Sequence, residues 1–576
     1  MVHQPETSTH TSQIIPAFQQ GADLFFQAAI QYGYRYVFGN PGTTETPFMD
    51  ALVRYPQLQF SLFLQENSAT GAADGIARMT GWPAIVNLHL GPGLANALAN
   101  IHNARRAQVP MLITVGDHHS RHLIEDSPLA SDIEGIARTQ CKWTWTVKEA
   151  GELADALYRA TIIAMTPPQG PVCLILPSNI LTAPPLTVDG QVPEIPPLHL
   201  PVIGQADSNA MEEAIDLLFA AKNPLLVIGD IDPTAYQQVA KLAQASHTRI
   251  VFDLAPRRLD GEALPESNWL PYFPDDRRKA LARHDLIFLV GNNSFTPLFL
   301  YEYDRAPVLA PGTQVIHLTD DITALGKNER GNLPLYGNLT RSLAYCVTYA
   351  TTKSGNHQYD QKNDEKAAVK VKTTLQTAAT EPATGPIRIV ELMQALRQEL
   401  PENTILVDEA ITARQPMLTY LFDAQTPITT YLGVRGAAIG GGIPLAVGAQ
   451  CGAPQRPVIV ISGDGSAMYT IQSLWSAAHY HLPLLIVICN NASYDIIKLE
   501  FMRLQGRLAS GDKQTLNSVV GLGEPRLNFA EMAEGMGVRG WSVQDRSELL
   551  PAVKIALATC AQGKPALLDV HLHPGM

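Results

Sequence analysis

Two short polar clusters, each at the end of an apolar run, carry the strongest chemical signal in this chain. Pro457–Ser462 (PVIVIS) reads as a strand and runs into Gly463-Asp464-Gly465-Ser466. Leu484–Cys489 (LLIVIC) reads as a second strand and runs into Asn490-Asn491. Asp464 and Asn491 stand 27 residues apart, with a helix expected between them bearing Ile471, Leu474, Trp475 and Ala478 on one face. Both therefore fall at the carboxyl ends of parallel strands, the edge at which open α/β sheets bind ligands. A carboxylate, an amide oxygen and a backbone carbonyl are hard oxygen donors, suited to Mg²⁺ carrying a diphosphate. The flanking glycines let the backbone approach phosphate, and the helix N-terminus favours the anion. Glu66, in LQENSATGAADGIAR, lies at a strand-to-helix junction, where the macrodipole favours an acid. His89 sits near a strand end in NLHLGPG, and His118 and His119 follow the strand Pro110–Val115 in GDHHSRHLIED.

The elements that must position these residues form three alternating blocks. The first, 12–185, has strands near Tyr36–Gly39, Phe60–Gln65, Pro83–Leu88, Pro110–Val115 and Pro171–Pro177; Ala69, Ala72, Ala73 and Ile76 form a helical stripe after Glu66. A proline-rich stretch, 183–201, reads as a linker. The second block, 202–348, has strands at Pro224–Ile228, Arg249–Phe252, Leu286–Val290 and Gln314–His317, and the polar run 352–385 reads as a second linker. The third, 386–576, has strands near Thr404–Val407, Pro457–Ser462, Leu484–Cys489 and Ala566–Val570. Strands alternating with helices imply parallel sheets covered on both faces, so the expected fold class is α/β, with three doubly wound domains. The length, 576 residues, also fits about three domains. A formal charge of −12 argues against a nucleic-acid partner. Six cysteines with no CxxC spacing support neither a disulfide framework nor a structural zinc. The polar first 17 residues and short apolar runs point to a cytoplasmic protein with no membrane partner.

The GDG-to-NN spacing resembles the signature of the thiamine diphosphate enzymes of the decarboxylase and acetolactate synthase superfamily, and the resemblance runs along nearly the whole chain. It implies a pyrimidine-binding domain, a middle domain and a diphosphate-binding domain in the order of the three blocks. It implies thiamine diphosphate and Mg²⁺ as cofactors, with Asp464, Asn491 and the carbonyl of Ser493 as metal ligands. Gly463, Gly465, Ser466 and Thr412 would meet the cofactor, with Ile439 propping it and the Ala437 carbonyl facing its amino group; Asn40, Pro41 and Gly42 would line it from the pyrimidine side. Glu66 falls where the family places the glutamate that exchanges a proton with the aminopyrimidine ring, general acid–base work in a dry cleft. Because the family's cofactor lies between two subunits, the resemblance implies a homodimer at minimum, with a homotetramer as its doubling.

Local motifs lean toward benzoylformate decarboxylases. FGNPGTTETPF places Thr43 where those enzymes have a substrate-contacting serine, and His89 falls where they have an active-site histidine. The implied reaction is loss of CO₂ from a 2-oxo acid, with release of an aldehyde or ligation to a 2-hydroxy ketone. One departure is clear: Leu298–Tyr303 (LFLYEY) lacks the second histidine that those enzymes carry in the middle domain, so His118 and His119 become candidates for substrate proton transfer. The chain also resembles acetolactate synthase large-subunit homologues through HLGPGLANALANIHNARRAQVPM, GDGSAMYTIQSLWSAA and NNASYDIIKLE. After NN it lacks the methionine and tryptophan pattern of true acetolactate synthases, so FAD binding has little support. Alternatives are an acetolactate synthase-like carboligase using pyruvate and a non-catalytic regulatory subunit. A nicotinamide oxidoreductase would need a G-x-G-x-x-G between strand and helix, which is missing. The polar stretch 506–528 reads either as a loop over the site or as a surface insertion.

Overall fold

The computed structural model describes residues 19–573 apart from 188, 254–255, 262–268, 272–273, 292–294, 296–306, 328–331, 354–383, 423–425 and 506–512. Most of the second expected linker and the Leu298–Tyr303 segment thus lie outside the described residues.

The first sheet holds β1 (Tyr36–Gly39), β2 (Gln59–Leu62), β3 (Ile85–His89), β4 (Met111–Asp117), β5 (Trp143–Thr146) and β6 (Pro171–Pro177), in the order β2-β1-β3-β4-β6-β5. The second block contributes β7 (Pro224–Ile228), β8 (Arg249–Phe252), β9 (Leu259–Asp260), β10 (Leu286–Val290), β11 (Gln314–Thr319) and β12 (Leu333–Tyr336). Five of these form a sheet in the order β12-β11-β10-β7-β8. The third sheet takes β13 (Thr404–Glu409), β14 (Ile428–Gly433), β15 (Val458–Gly463), β16 (Leu484–Asn490), β17 (Arg539–Val543) and β18 (Ala566–His571), ordered β17-β18-β16-β15-β13-β14-β9. Every strand pairing is parallel except β14 with β9. That exception departs from the simple three-block reading, because a two-residue strand of the middle segment closes the edge of the third sheet, where Thr430 Oγ1 donates to Asp260 Oδ1 at 2.6 Å. Every residue of β6 and of β16 is buried, as expected for parallel strands covered on both faces.

The helix Glu66–Thr80 begins where the sequence places it, but the preceding strand stops at Leu62 instead of running to Gln65. The cause is local: Gln65 is the N-cap, its side chain accepting the Ser68 N–H at 3.0 Å. The helix expected after Gly463–Ser466 is likewise divided into Asp464–Ala467 and Ser473–His479. In the interval Thr470 turns its hydroxyl to the Gly440 carbonyl at 2.8 Å. Between Ala183 and Asp207 the described chain has neither helix nor strand, yet Ile195 and Leu198 pack against the first domain's core.

The first and third domains of one chain are pressed together through the helices Glu66–Thr80 and Gly442–Gly452. A Cβ at Gly448 would stand 1.9 Å from the Ala72 carbonyl oxygen, so the two backbones touch only because that side chain is absent. One apolar cluster runs through this contact from Phe38 and Ala72 to Val447 and Val460. No helix among the described residues is long and apolar enough to cross a membrane.

Candidate active site

At the carboxyl edge of the third sheet a cavity of about 490 Å³ is lined by Thr412, Ile439, Gly463, Asp464, Gly465, Ser466, Asn491 and Ser493, among others. Asp464 follows β15 directly and is 4% exposed. Its Oδ1 accepts the Gly465 N–H at 2.8 Å, while its Oδ2 is buried with no hydrogen-bond partner among the described residues. Burial pushes its carboxyl up to about 6, against the pull of nearby backbone amides. Asn491 follows β16; its Oδ1 accepts the Ser493 N–H at 3.1 Å and its Nδ2 donates to Asp495 Oδ2 at 2.9 Å. Ala492, at φ +54°, makes the turn between them. Among the described residues no group of three or more His, Cys, Asp or Glu is placed to hold a metal. A cation here would take the mixed set Asp464, Asn491 and a backbone carbonyl. An orphaned carboxylate oxygen and an amide oxygen from residues lining one cavity fit a hard divalent ion. Gly465 is held to glycine by Tyr494, whose ring would lie 2.2 Å from a Cβ.

The first domain carries the other residues singled out in the sequence. Glu66 is 8% exposed at the start of its helix, and its Oε2 accepts Asn96 Nδ2–H at 3.2 Å. His89 ends β3, with Nδ1 2.7 Å from Glu45 Oε2. Glu45 is fully buried and also accepts the Gly42 N–H at 2.8 Å and the Thr44 hydroxyl at 2.7 Å. This carboxylate fixes the imidazole with Nδ1–H donated, which leaves Nε2 as the ring nitrogen outside this contact. Thr43 is exposed, and its neighbour Thr44 is the hydroxyl that reaches the His89 ring, at 3.2 Å. Asn40, Pro41 and Gly42 form the turn after β1 on this same side. His118 and His119 leave the sheet at the edge where His89 pairs in register with Gly116. Both are half-buried and engaged in their own loop: His118 Nε2 lies 2.8 Å from Ser127 Oγ, and His119 Nδ1 accepts the Arg121 N–H at 3.2 Å.

Among the described residues the two groups do not line the same cavity. The cavity's lining runs from Arg388 to His573 and includes neither Glu66 nor His89. Ala437 and Ile439 belong to the cavity side, on a turn after β14; Ala437 is at φ +60°, and Ile439 lines the cavity.

Several residues of the site escape a reading of the sequence. Glu45 is one acid in a polar turn, and only tertiary packing shows that it is buried against His89. Glu409 is fully enclosed at the end of β13 and accepts the N–H groups of Gly440, Gly441 and Gly442 at 2.7, 2.7 and 2.9 Å. Burial raises its carboxyl above the usual range while those amides draw it down. Asn96, Asn100 and Asn103 did leave a trace, recurring at i, i+4 and i+7 along the helix Leu90–Arg106 and so sharing a face.

Three family descriptions match in chain order: thiamine pyrophosphate enzyme, N-terminal TPP binding domain, over residues 19–133; the central domain over 211–345; and the C-terminal TPP binding domain over 412–570. IlvX of Mycobacterium tuberculosis, provisionally described as an acetolactate synthase large subunit, is 33% identical across 96% of this chain and 98% of its own length. The benzoylformate decarboxylase of Pseudomonas aeruginosa is 28% identical across 94% of this chain and 96% of its own. A solved structure from Mycobacterium smegmatis, described provisionally as a thiamin diphosphate-dependent enzyme, superposes with a TM-score of 0.77 at 25% identity, covering 96% of this chain and 100% of that one. With three successive domains matched and a 33% identical relative along almost its entire length, the chain belongs to the thiamine diphosphate-dependent enzymes of the decarboxylase and acetolactate synthase family.

Proposed function

We propose that this enzyme uses thiamine diphosphate and Mg²⁺ to remove the carboxyl group of a 2-oxo acid without oxidation, releasing an aldehyde and, with a second carbonyl compound, forming a 2-hydroxy ketone. The observation that carries the cofactor assignment is the cavity holding Asp464, Asn491 and Ser493, with a buried Asp464 oxygen that lacks a partner. Asp464, the Asn491 amide oxygen and the Ser493 carbonyl would hold the metal. Gly463, Gly465, Ser466 and Thr412 would receive the diphosphate, and Ile439 with the Ala437 carbonyl would support the organic part. When bound, thiamine diphosphate supplies the carbon nucleophile and the electron sink that a carboxylate leaving from beside a ketone requires. Glu66 would hold the proton at the aminopyrimidine ring. His89, kept in one orientation by Glu45, would move a proton at the substrate's carbonyl carbon or oxygen, and Thr43, His118 and His119 would line the approach.

Since the cavity of one chain lacks Glu66, a second chain would supply it, making a two-fold dimer the minimum active unit and a homotetramer its natural doubling. Six free thiols suit a reducing cytoplasm. Support for the decarboxylase reading comes from His89 tied to a buried carboxylate, since aldehyde release needs a proton donor at the substrate. A second reading, ligation of pyruvate, is favoured by the resemblance to IlvX. A non-catalytic role would leave Glu66, Asp464 and Asn491 without purpose.

The test is CO₂ release from benzoylformate, phenylpyruvate, pyruvate and branched 2-oxo acids, with both cofactors added and Glu66→Gln alongside. Cofactor-dependent release that collapses in the variant and leaves aldehyde supports the proposal. A 2-hydroxy-2-methyl-3-oxo acid as the sole product would replace it with the second reading, and no release from any substrate would end it.

A further inference from the structure

The turn 436–441 runs from β14 to the helix Gly442–Gly452, and the first domain of the same chain grips it on one side. Asn103 pairs with Ala438 twice: its Nδ2 donates to the Ala438 carbonyl at 2.9 Å and its Oδ1 accepts the Ala438 N–H at 3.0 Å. Asn100 Nδ2 donates to the Gly440 carbonyl at 3.4 Å, and His102 Nε2 lies 3.2 Å from the Gly436 carbonyl. Within the third domain, Thr470 and Glu409 hold the same turn at Gly440 and Gly441. Residues 436, 438 and 440 are thus fastened, while the intervening Ile439 lines the cavity. The approach is close, since a Cβ at Gly436 would stand 2.4 Å from Asn103 Oδ1.

Asn100 and Asn103 are 1% and 2% exposed and are bonded to each other at 2.8 Å. Asn100 is also tied to Asn67, the neighbour of Glu66: its N–H donates to Asn67 Oδ1 and its Nδ2 to the Asn67 carbonyl, both at 2.8 Å. Ala437 sits at φ +60°, a conformation that a non-glycine residue keeps only where the surroundings impose it.

We infer that Asn103, supported by Asn100, is a positioning residue for the cofactor: a clamp from the first domain that sets the turn presenting Ile439 to the cavity in the third domain of the same chain. The inference rests on the thiamine diphosphate reading above and assigns to these asparagines a role in holding the organic part of the ligand, separate from the metal and diphosphate end. Through Asn67 the clamp is continuous with the start of the Glu66 helix, so one chain links the turn at its own cavity to the glutamate it would offer a partner.

Calorimetric titration of the full-length apo protein in Mg²⁺ tests this, using thiamine diphosphate and inorganic pyrophosphate as separate ligands. In Asn103→Ala the affinity for thiamine diphosphate should fall about tenfold or more, and in Asn100→Ala by less, with pyrophosphate affinity within about twofold of wild type in both. Unchanged thiamine diphosphate affinity in Asn103→Ala would overturn the inference. A parallel loss of both ligands in the two variants would do the same, because it marks general loosening. If wild type bound pyrophosphate as tightly as thiamine diphosphate, the cofactor reading itself would fail, and the clamp with it.

Discussion

Asp464 is a buried carboxyl that costs the fold, a cost that the proposed metal site would account for. Its carboxyl is raised from 3.8 to about 6 by burial, so the apo protein binds this proton more tightly than the unfolded chain does. The group therefore lowers apo stability as the pH rises from about 4 through about 6. A divalent cation at Oδ2 would reverse that by favouring the ionised form. Asp464→Ala should then melt at neutral pH as high as wild-type apo protein or higher, while losing the stabilisation that Mg²⁺ with thiamine diphosphate confers and at least about a hundredfold in activity. Thermal melts with and without cofactors check this, and an apo variant that melts well below wild type would show that the carboxylate has a structural partner after all. His89 and Glu45 are the converse case: a buried acid whose oxygens are all engaged, by the imidazole, an amide and a hydroxyl.

At the scale of elements, close backbone packing rather than side-chain bulk joins the first and third domains, as the Gly448–Ala72 contact shows. The middle sheet carries a different liability. His317 on β11 is 5% exposed, its Nε2 is 2.9 Å from the Gly291 carbonyl, and burial lowers its pKa below 6.5; His284, buried at the other end of the sheet against Asn223, is lowered for the same reason. A base depressed in the folded state is protonated first in the unfolded chain. Stability from these two histidines is therefore complete above pH 6.5, falls as the pH drops from there toward their folded pKa values, and then levels off. His317→Gln, whose amide can still reach the carbonyl, should show a shallower fall in melting temperature between about pH 7 and 5.5 than wild type. Parallel curves for the two proteins would refute this.

For the whole molecule, the proposed reading has a direct consequence: the cavity that holds Asp464 and Asn491 does not include Glu66 in its lining, so a second chain would supply it. Chains carrying Glu66→Gln and chains carrying Asp464→Ala should each be inactive alone. Co-expressed in equal amounts and assembled at random, they should recover about a quarter of wild-type activity, since half the dimers are mixed and each mixed dimer keeps one intact site of two. Recovery of none, with mixed dimers demonstrated by differently tagged chains, would mean that each site is built within a single chain.

What was legible in the sequence was local. A buried parallel strand must be apolar along its length and must end in a turn, so PVIVIS before Gly463 and LLIVIC before Asn490 located Asp464 and Asn491 at one sheet edge, where they now line one cavity. The α/β architecture followed from the same alternation. The start of the Glu66 helix was legible too, because the stripe Ala69, Ala72, Ala73 and Ile76 follows it, whereas the Gln65 cap that ends the strand early was not. Tertiary structure alone decided the contacts between distant segments: Glu45 against His89, 44 positions apart, and Asn103 against Ala438, 335 apart. It also decided that β9 leaves its own block for the third sheet, and that Thr44 rather than Thr43 meets the histidine. Periodicity can mark one side of such a pairing, as it does the shared face of Asn96, Asn100 and Asn103, but it does not name the partner. These pairings depend on how whole domains pack, and a hydrogen bond across a domain boundary leaves no mark of its partner on the residues that flank it in the chain.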